Sequence, residues 1–266
     1  MASSENPPNF ILFGDSLTEW SFSEATEGFG WFLEKKYTGK VNIVNEGSLM
    51  VRSRYTSSAL AGDFDRIISR ATASNASPTL LFTIFLGAND ACRFEANIRA
   101  FIETILTQDA MLNTKIVLIA PPPINSPASS RGSMTEEEVE DANQWKREAP
   151  RYKTYMSKKR YAEGIMRIAS EYEETGRVVG LDFWQAVVTA GLEEHERLNG
   201  DKNADSDGVG YDEELPPGSG LVGAKQFGKG WFADGLHLDV KGYKVLSEAL
   251  FGLITRQWPE LAPERL

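Results

Sequence analysis

Apolar residues in this chain fall into two kinds of run. Phe10 to Phe13, Val41 to Val44, Leu80 to Leu86, Ile116 to Ala120 and Val178 to Asp182 are short, rich in Ile, Val, Leu and Phe, and lack a polar alternation. A strand reads this way when both of its faces are covered, because neither meets water. Between these runs, Trp31 to Tyr37, Ser57 to Ala71, Ala96 to Leu112 and Lys153 to Glu173 carry apolar residues at three- and four-residue spacing. That stripe predicts amphipathic helices. A last helix is expected over Lys241 to Leu253, where Val245, Leu246, Ala249 and Leu250 share one face. Strands alternating with helices predict an α/β fold with a parallel sheet covered by helices on both sides.

Two stretches break the rhythm: Pro121 to Pro150, which opens with three prolines, and Glu193 to Gly230, rich in Gly, Asp and Glu. Both are expected as surface insertions above the sheet, the first with a short helix over Glu136 to Asp141. No internal repeat is visible, and residues 1–266 are expected to form one domain, a length at which a single α/β core suffices.

Composition narrows the function. A net charge of −10 argues against a nucleic-acid surface, which needs clustered Lys and Arg to displace counterions. The basic run Lys146 to Arg160, interleaved with Tyr152 and Tyr155, is expected to be a solvated helix face. No apolar run approaches the ~20 residues needed to cross a bilayer, so no membrane partner is expected. Met1 to Asn9 lack the basic start and apolar stretch of a secretory leader, and the single cysteine, Cys92, suits a reducing compartment. A cytoplasmic protein is therefore expected.

Candidate chemistry gathers where strands end. The first strand runs into Gly14-Asp15-Ser16, and in open α/β sheets ligands bind beyond the carboxyl ends of the strands. A serine there needs a base to become a nucleophile. Only His195 and His237 are available. His195 lies in the polar run Glu193-Glu194-His195-Glu196-Arg197 and reads as a solvated imidazole. His237 follows Asp234 by three residues, a spacing that lets the carboxylate hold one ring nitrogen and leave the other free as a base. A helix cap followed by an incidental histidine is the plain alternative. The third strand ends in Gly87-Ala88-Asn89-Asp90. There Asn89 is a candidate oxyanion donor beside the Ser16 N–H, the plain alternative being an Asn-Asp turn.

Together these segments resemble the SGNH or GDSL hydrolase family, whose blocks include Gly14-Asp15-Ser16-Leu17, Gly87-Ala88-Asn89-Asp90 and Asp234-Gly235-Leu236-His237. Within it, Gly14-Asp15-Ser16-Leu17-Thr18-Glu19, Pro121-Pro122-Pro123 after the fourth strand and the run from Asp234 to Gly242 look like the isoamyl acetate-hydrolysing esterase type. The resemblance implies a flavodoxin-like three-layer α/β/α sandwich with a five-stranded sheet. It also implies a serine esterase for small carboxylic esters that works without metal or organic cofactor. Ser16 is then nucleophile, His237 base, Asp234 its orienter and Asn89 an oxyanion donor.

The family's glycine block is where the match departs. Met50 stands where an oxyanion glycine is expected, and Gly47 comes three residues earlier. Either the Met50 N–H donates or a rearranged loop presents Gly47. Trp20, Leu49, Met50, Trp231 and Leu236 flank the motifs and are expected to line the substrate pocket. Two other readings compete: a metal-dependent phosphoesterase using Asp15, Asn89, Asp90, Asp234 and His237 as ligands, and a binding protein that has lost catalysis. The acyl and alcohol preference and the oligomeric state are not legible in the residues.

Overall fold

The computed structural model describes residues 6–47, 61–87, 94–199 and 211–266. Five strands, β1 (Asn9–Gly14), β2 (Asn42–Gly47), β3 (Thr79–Phe85), β4 (Lys115–Ile119) and β5 (Val178–Leu181), form one parallel sheet in the order β2-β1-β3-β4-β5. The fold is α/β, as the alternation of runs predicts, and the strand order is the flavodoxin-like one. Phe10 to Phe13 and Ile116 to Ile119 are buried at every position, which accounts for their lack of alternation.

The β1 side chains show how the layers form. Phe10 packs on Tyr37, just beyond α2 (Phe29–Lys36), while Phe13 meets Phe64 of α3 (Ala61–Ala71) and Phe101 of α4 (Phe94–Thr107). Successive strand residues point to opposite faces, so an apolar run collects helices on both. On the β4–β5 side lie α5 (Glu136–Glu148) and α6 (Pro150–Glu171). The chain closes through α7 (Phe183–Asn199) and α8 (Val240–Gln257), which pack together.

Four differences from the sequence expectation have physical causes. Helix α5 is longer than the expected Glu136 to Asp141, because Thr135 and Glu138 form a capping box at its start and Pro150 ends the run by opening α6. Helix α7 was not expected. Its start is set by Asp182, whose Oδ1 accepts the Gln185 N–H at 3.0 Å, and it takes in Glu193 to Asn199, the beginning of the expected insertion. Consequently His195 sits half-buried on a helix, not in a solvated loop.

The two insertions are also not mere surface. Pro216 to Val222 are buried, with Gly218 and Gly220 at positive φ, and Asn143 of α5 holds Val222 by both its N–H (2.6 Å) and C=O (3.3 Å). Lys146 on the Gly220 carbonyl (2.9 Å), Tyr155 on the Pro217 carbonyl (3.2 Å) and the Ser126 N–H on the Gly218 carbonyl (2.8 Å) satisfy more of the backbone there, so irregular chain can be buried. Finally, the basic run is not wholly solvated, since Tyr155 and Lys158 turn inward from α6 and are 0% and 3% exposed.

Candidate active site

The order β2-β1-β3 places a topological switch between β1 and β3, the crevice where such sheets bind ligands. The turn after β1 is unusually tight. A Cβ on Gly14 would lie 2.1 Å from Thr18 Oγ1 and 2.5 Å from the Phe85 carbonyl oxygen, so only glycine lets the chain double back there. Asp15 then caps α1 (Ser16–Glu19), its Oδ1 accepting the Leu17 N–H at 3.0 Å. The Tyr243 hydroxyl of α8 donates to the Leu17 carbonyl at 2.9 Å and ties this turn to the carboxyl-terminal helix. Ser16 opens the helix with its side chain at the crevice, 6% exposed.

The opposite wall is a narrow loop between Gly230 and Lys241. Its legs are joined by Lys241 N–H to Gly230 O (2.8 Å), Asp239 N–H to Trp231 O (3.0 Å) and Ala233 N–H to His237 O (2.9 Å), with an antiparallel bridge between Phe232 and Leu238. At the tip, Asp234 Oδ1 accepts the N–H groups of Leu236 (2.9 Å) and His237 (2.8 Å), and Gly235 turns the chain at φ +84°. The Asn125 N–H, from the segment after β4, donates to the Gly235 carbonyl at 2.8 Å and holds the tip from outside.

These two turns bring three side chains into line. His237 Nε2 lies 3.1 Å from Ser16 Oγ, and His237 Nδ1 lies 2.7 Å from Asp234 Oδ2. The Trp20 ring stacks on the imidazole with centroids 3.9 Å apart and planes at 26°. Burial works against the Asp234 charge, but donation from the His237 ring and from the backbone N–H groups of His237 and Leu236 outweighs it and brings the carboxyl down to about 2. The aspartate is therefore ionised at neutral pH, a Nδ1–H tautomer is favoured, and Nε2 is left to accept the serine proton.

The remaining expected positions divide. Leu49, Met50 and Asn89 lie outside the described residues. Gly47 ends β2, its N–H donated to Asn45 Oδ1 at 2.9 Å and its α-carbon against the Glu19 backbone. That amide is thus already engaged. Trp20 stands 41% exposed at the crevice, and Leu236 is half-buried in the tip. Trp231 is only 3% exposed, its ring against Phe227, and so belongs to the interior beneath the loop.

Several residues around the site escaped sequence reasoning. Asn125 is one; its side chain also pairs with both backbone groups of Phe227, at 2.9 and 3.2 Å. A Cβ on Gly235 would come within 3.1 Å of an Arg151 guanidinium nitrogen, so that α6 cation lies against the tip. Lys158, one of the inward residues of α6, is held down to about 8 by burial; attraction to Asp15 and Asp234 opposes the fall and repulsion from Arg151 adds to it. The signals for them in the sequence were the prolines before Asn125 and the basic run that holds Arg151 and Lys158. Among the described residues, no group of three or more His, Cys, Asp or Glu is arranged to hold a metal ion, and no helix is long and apolar enough to cross a membrane.

Known proteins resemble this chain in sequence and in fold. The family model of GDSL-like lipases and acylhydrolases matches residues 10–250. The isoamyl acetate-hydrolyzing esterase 1 homolog of Rattus norvegicus is 30% identical over 130 residues, 44% of this chain and 49% of that protein, so the match spans about half the relative's length. The isoamyl acetate-hydrolyzing esterase of Saccharomyces cerevisiae is 22% identical over 277 residues, 97% of this chain and 90% of the yeast protein. Among solved structures, a Parabacteroides merdae protein described as a GDSL-like lipase aligns with a TM-score of 0.51 at 15% identity, covering 92% of this chain and 94% of its own. A Streptococcus pneumonia protein described as a platelet activating factor gives a TM-score of 0.51 at 17% identity over 97% of this chain and 87% of that one. At these identities the structural likeness concerns the fold alone.

Proposed function

Since the chain belongs to the GDSL-like lipase and acylhydrolase family, we propose that it is a serine esterase acting on small carboxylic esters with acetyl or other short acyl groups. The observation that carries this reading is the pair of contacts from Ser16 to His237 at 3.1 Å and from His237 to Asp234 at 2.7 Å. Ser16 Oγ attacks the ester carbonyl while His237 Nε2 takes its proton, and Asp234 stabilises the imidazolium. The tetrahedral oxyanion is received by the Ser16 N–H, with Asn89 and the Met50 N–H as the other donors in this reading. Collapse expels the alcohol, which takes the proton from His237 and leaves an acyl-serine. Water, deprotonated by the same nitrogen, then releases the acid and restores Ser16. No metal or organic cofactor takes part. The single Cys92 is the basis for placing this activity in the cytoplasm.

The test is hydrolysis of a nitrophenyl acetate by the native chain and by Ser16→Ala, each with and without a chelator. Turnover by the native chain alone, unaffected by the chelator, is expected. Equal rates for the two proteins would leave the serine without a role, and loss of activity in the chelator would favour the phosphoesterase reading. A series of acyl lengths and alcohols then defines the substrate.

A further inference from the structure

The loop that carries Asp234 and His237 is fastened at its base by a residue from a distant helix. Glu194, on α7, accepts the Trp231 indole N–H on Oε2 and the Lys241 ammonium on Oε1, each at 2.5 Å. Trp231 and Lys241 are the two legs of the loop at the level where its backbone closes, next to the Lys241–Gly230 and Asp239–Trp231 hydrogen bonds. One carboxylate thus bridges both strands of the loop from outside. The two donations hold the Glu194 carboxyl below its ordinary range, so it is ionised whenever the esterase would work. Trp231 is buried and the Glu194 side chain is 23% exposed, which gives the indole bond weight that exposed pairs lack, while Lys241 is 44% exposed and its pair is screened by solvent.

We propose that Glu194 is a positioning residue for His237, clamping the base of the catalytic loop so that the imidazole stays within reach of Ser16. Glu194 touches neither Ser16 nor His237; it acts only through the legs of the loop. Above the clamp, the tip is held by the Asn125 N–H on Gly235 O, by the Trp20 ring and by Arg151 beside Gly235, so the tip and the base together set where the imidazole lies. A displacement of ~1 Å in a reacting group costs about 10²-fold in rate, so small movements at the base matter at the tip. The proposal rests on the esterase reading for its kinetic readout, and a second readout is independent of it.

The experiment compares the native chain with Glu194→Ala, Glu194→Gln and Lys241→Met. Steady-state hydrolysis of a nitrophenyl acetate is measured beside the low-field proton resonance of the His237 Nδ1–H, which needs no substrate. Thermal unfolding fixes the folded fraction of each protein. Expected for Glu194→Ala is a fall in kcat of about tenfold with KM within about twofold, and a broadened His237 resonance in a folded protein. Glu194→Gln, with one oxygen left to accept, and Lys241→Met, with one donor gone, should fall between it and the native chain. Should Glu194→Ala not fold, the graded loss in the other two variants carries the test. Unchanged kcat and resonance in the folded variants would overturn the proposal, as would a loss confined to KM or to the folded fraction. If the native chain does not hydrolyse the ester, the esterase reading fails and the resonance alone decides about the clamp.

Discussion

Replacing Asp234 by asparagine separates the two things this carboxylate does. Oδ1 caps the loop tip through the N–H groups of Leu236 and His237, and an asparagine oxygen can still accept both. Oδ2 faces His237 Nδ1 at 2.7 Å, and there an amide NH₂ brings a donor against a donor. The ring escapes by taking the Nε2–H tautomer, which presents a proton to Ser16 where a base is needed. The expected loss in kcat is of the order of 10⁴-fold, or about 5.5 kcal/mol, the size that follows when an amide imposes the wrong tautomer in a Ser-His-Asp site.

Stability should change far less. The carboxyl is drawn from its ordinary 3.8 to about 2, which would represent about 2.4 kcal/mol if it were buried. Its side chain is 54% exposed, so solvent screening reduces this to about 1 kcal/mol or less. Because the folded value is lowered, that contribution is present above the unfolded value and disappears as pH falls toward about 2. At neutral pH, Asp234→Asn should lower Tm by about 2–4 °C at most. Asp234→Ala, which also strips the cap from the tip, should be less stable than the asparagine variant while being no more active. The assays are steady-state ester hydrolysis and thermal unfolding on the same preparations. An asparagine variant within tenfold of native kcat would refute the tautomer argument, and alanine and asparagine variants of equal Tm would refute the cap.

Trp20→Ala removes the ring stacked on His237 at 3.9 Å, and a cation–π contribution of about 0.5–1 kcal/mol to the imidazolium predicts a two- to fivefold lower kcat; no change in kcat would deny the ring this role. Gly47→Ala would put a Cβ 2.2 Å from the Glu19 backbone nitrogen and push against α1, which begins at Ser16. A destabilisation of about 1–3 kcal/mol in urea, with a fall in kcat, is expected, and a native unfolding midpoint would contradict it. Lys158 has a folded value lowered to about 8 from 10.5, so the unfolded chain binds more protons in that window and this group makes stability rise with pH by up to about 3 kcal/mol. Lys158→Met should flatten the rise in urea unfolding free energy across the window, and parallel curves for the two proteins would show that the ammonium is not held as described.

The elements that place Ser16 were legible because they are local. A buried strand must be apolar throughout, a turn with no room for a Cβ must be glycine, and an aspartate three residues before a histidine can fold back on it. Phe10 to Ser16 and Asp234 to His237 carry those requirements in consecutive residues, so order and spacing were enough to read them. The β2-β1-β3 neighbourhood adds what no stretch of residues contains, the distance of 3.1 Å between two groups at opposite ends of the chain.

Other features depend on partners that are remote in sequence. Lys158 and Tyr155 sit in a basic run and look solvated until α6 is laid against the sheet, when one face of the helix turns inward. Glu194 looks like one acid among several until α7 brings it to Trp231 and Lys241. The segment Pro216 to Val222 looks like surface in the sequence but is buried, with Leu221 and Val222 entering the interior while Asn143 takes up the Val222 backbone and the Ser126 N–H donates to the Gly218 carbonyl. Local sequence determined the strands, the nucleophile turn and the aspartate–histidine turn, since backbone sterics and the burial period act over a few residues. Tertiary structure alone decided which charges are buried and which distant side chains fasten the site, since burial and hydrogen-bond pairing are properties of surfaces that exist only once the helices have packed.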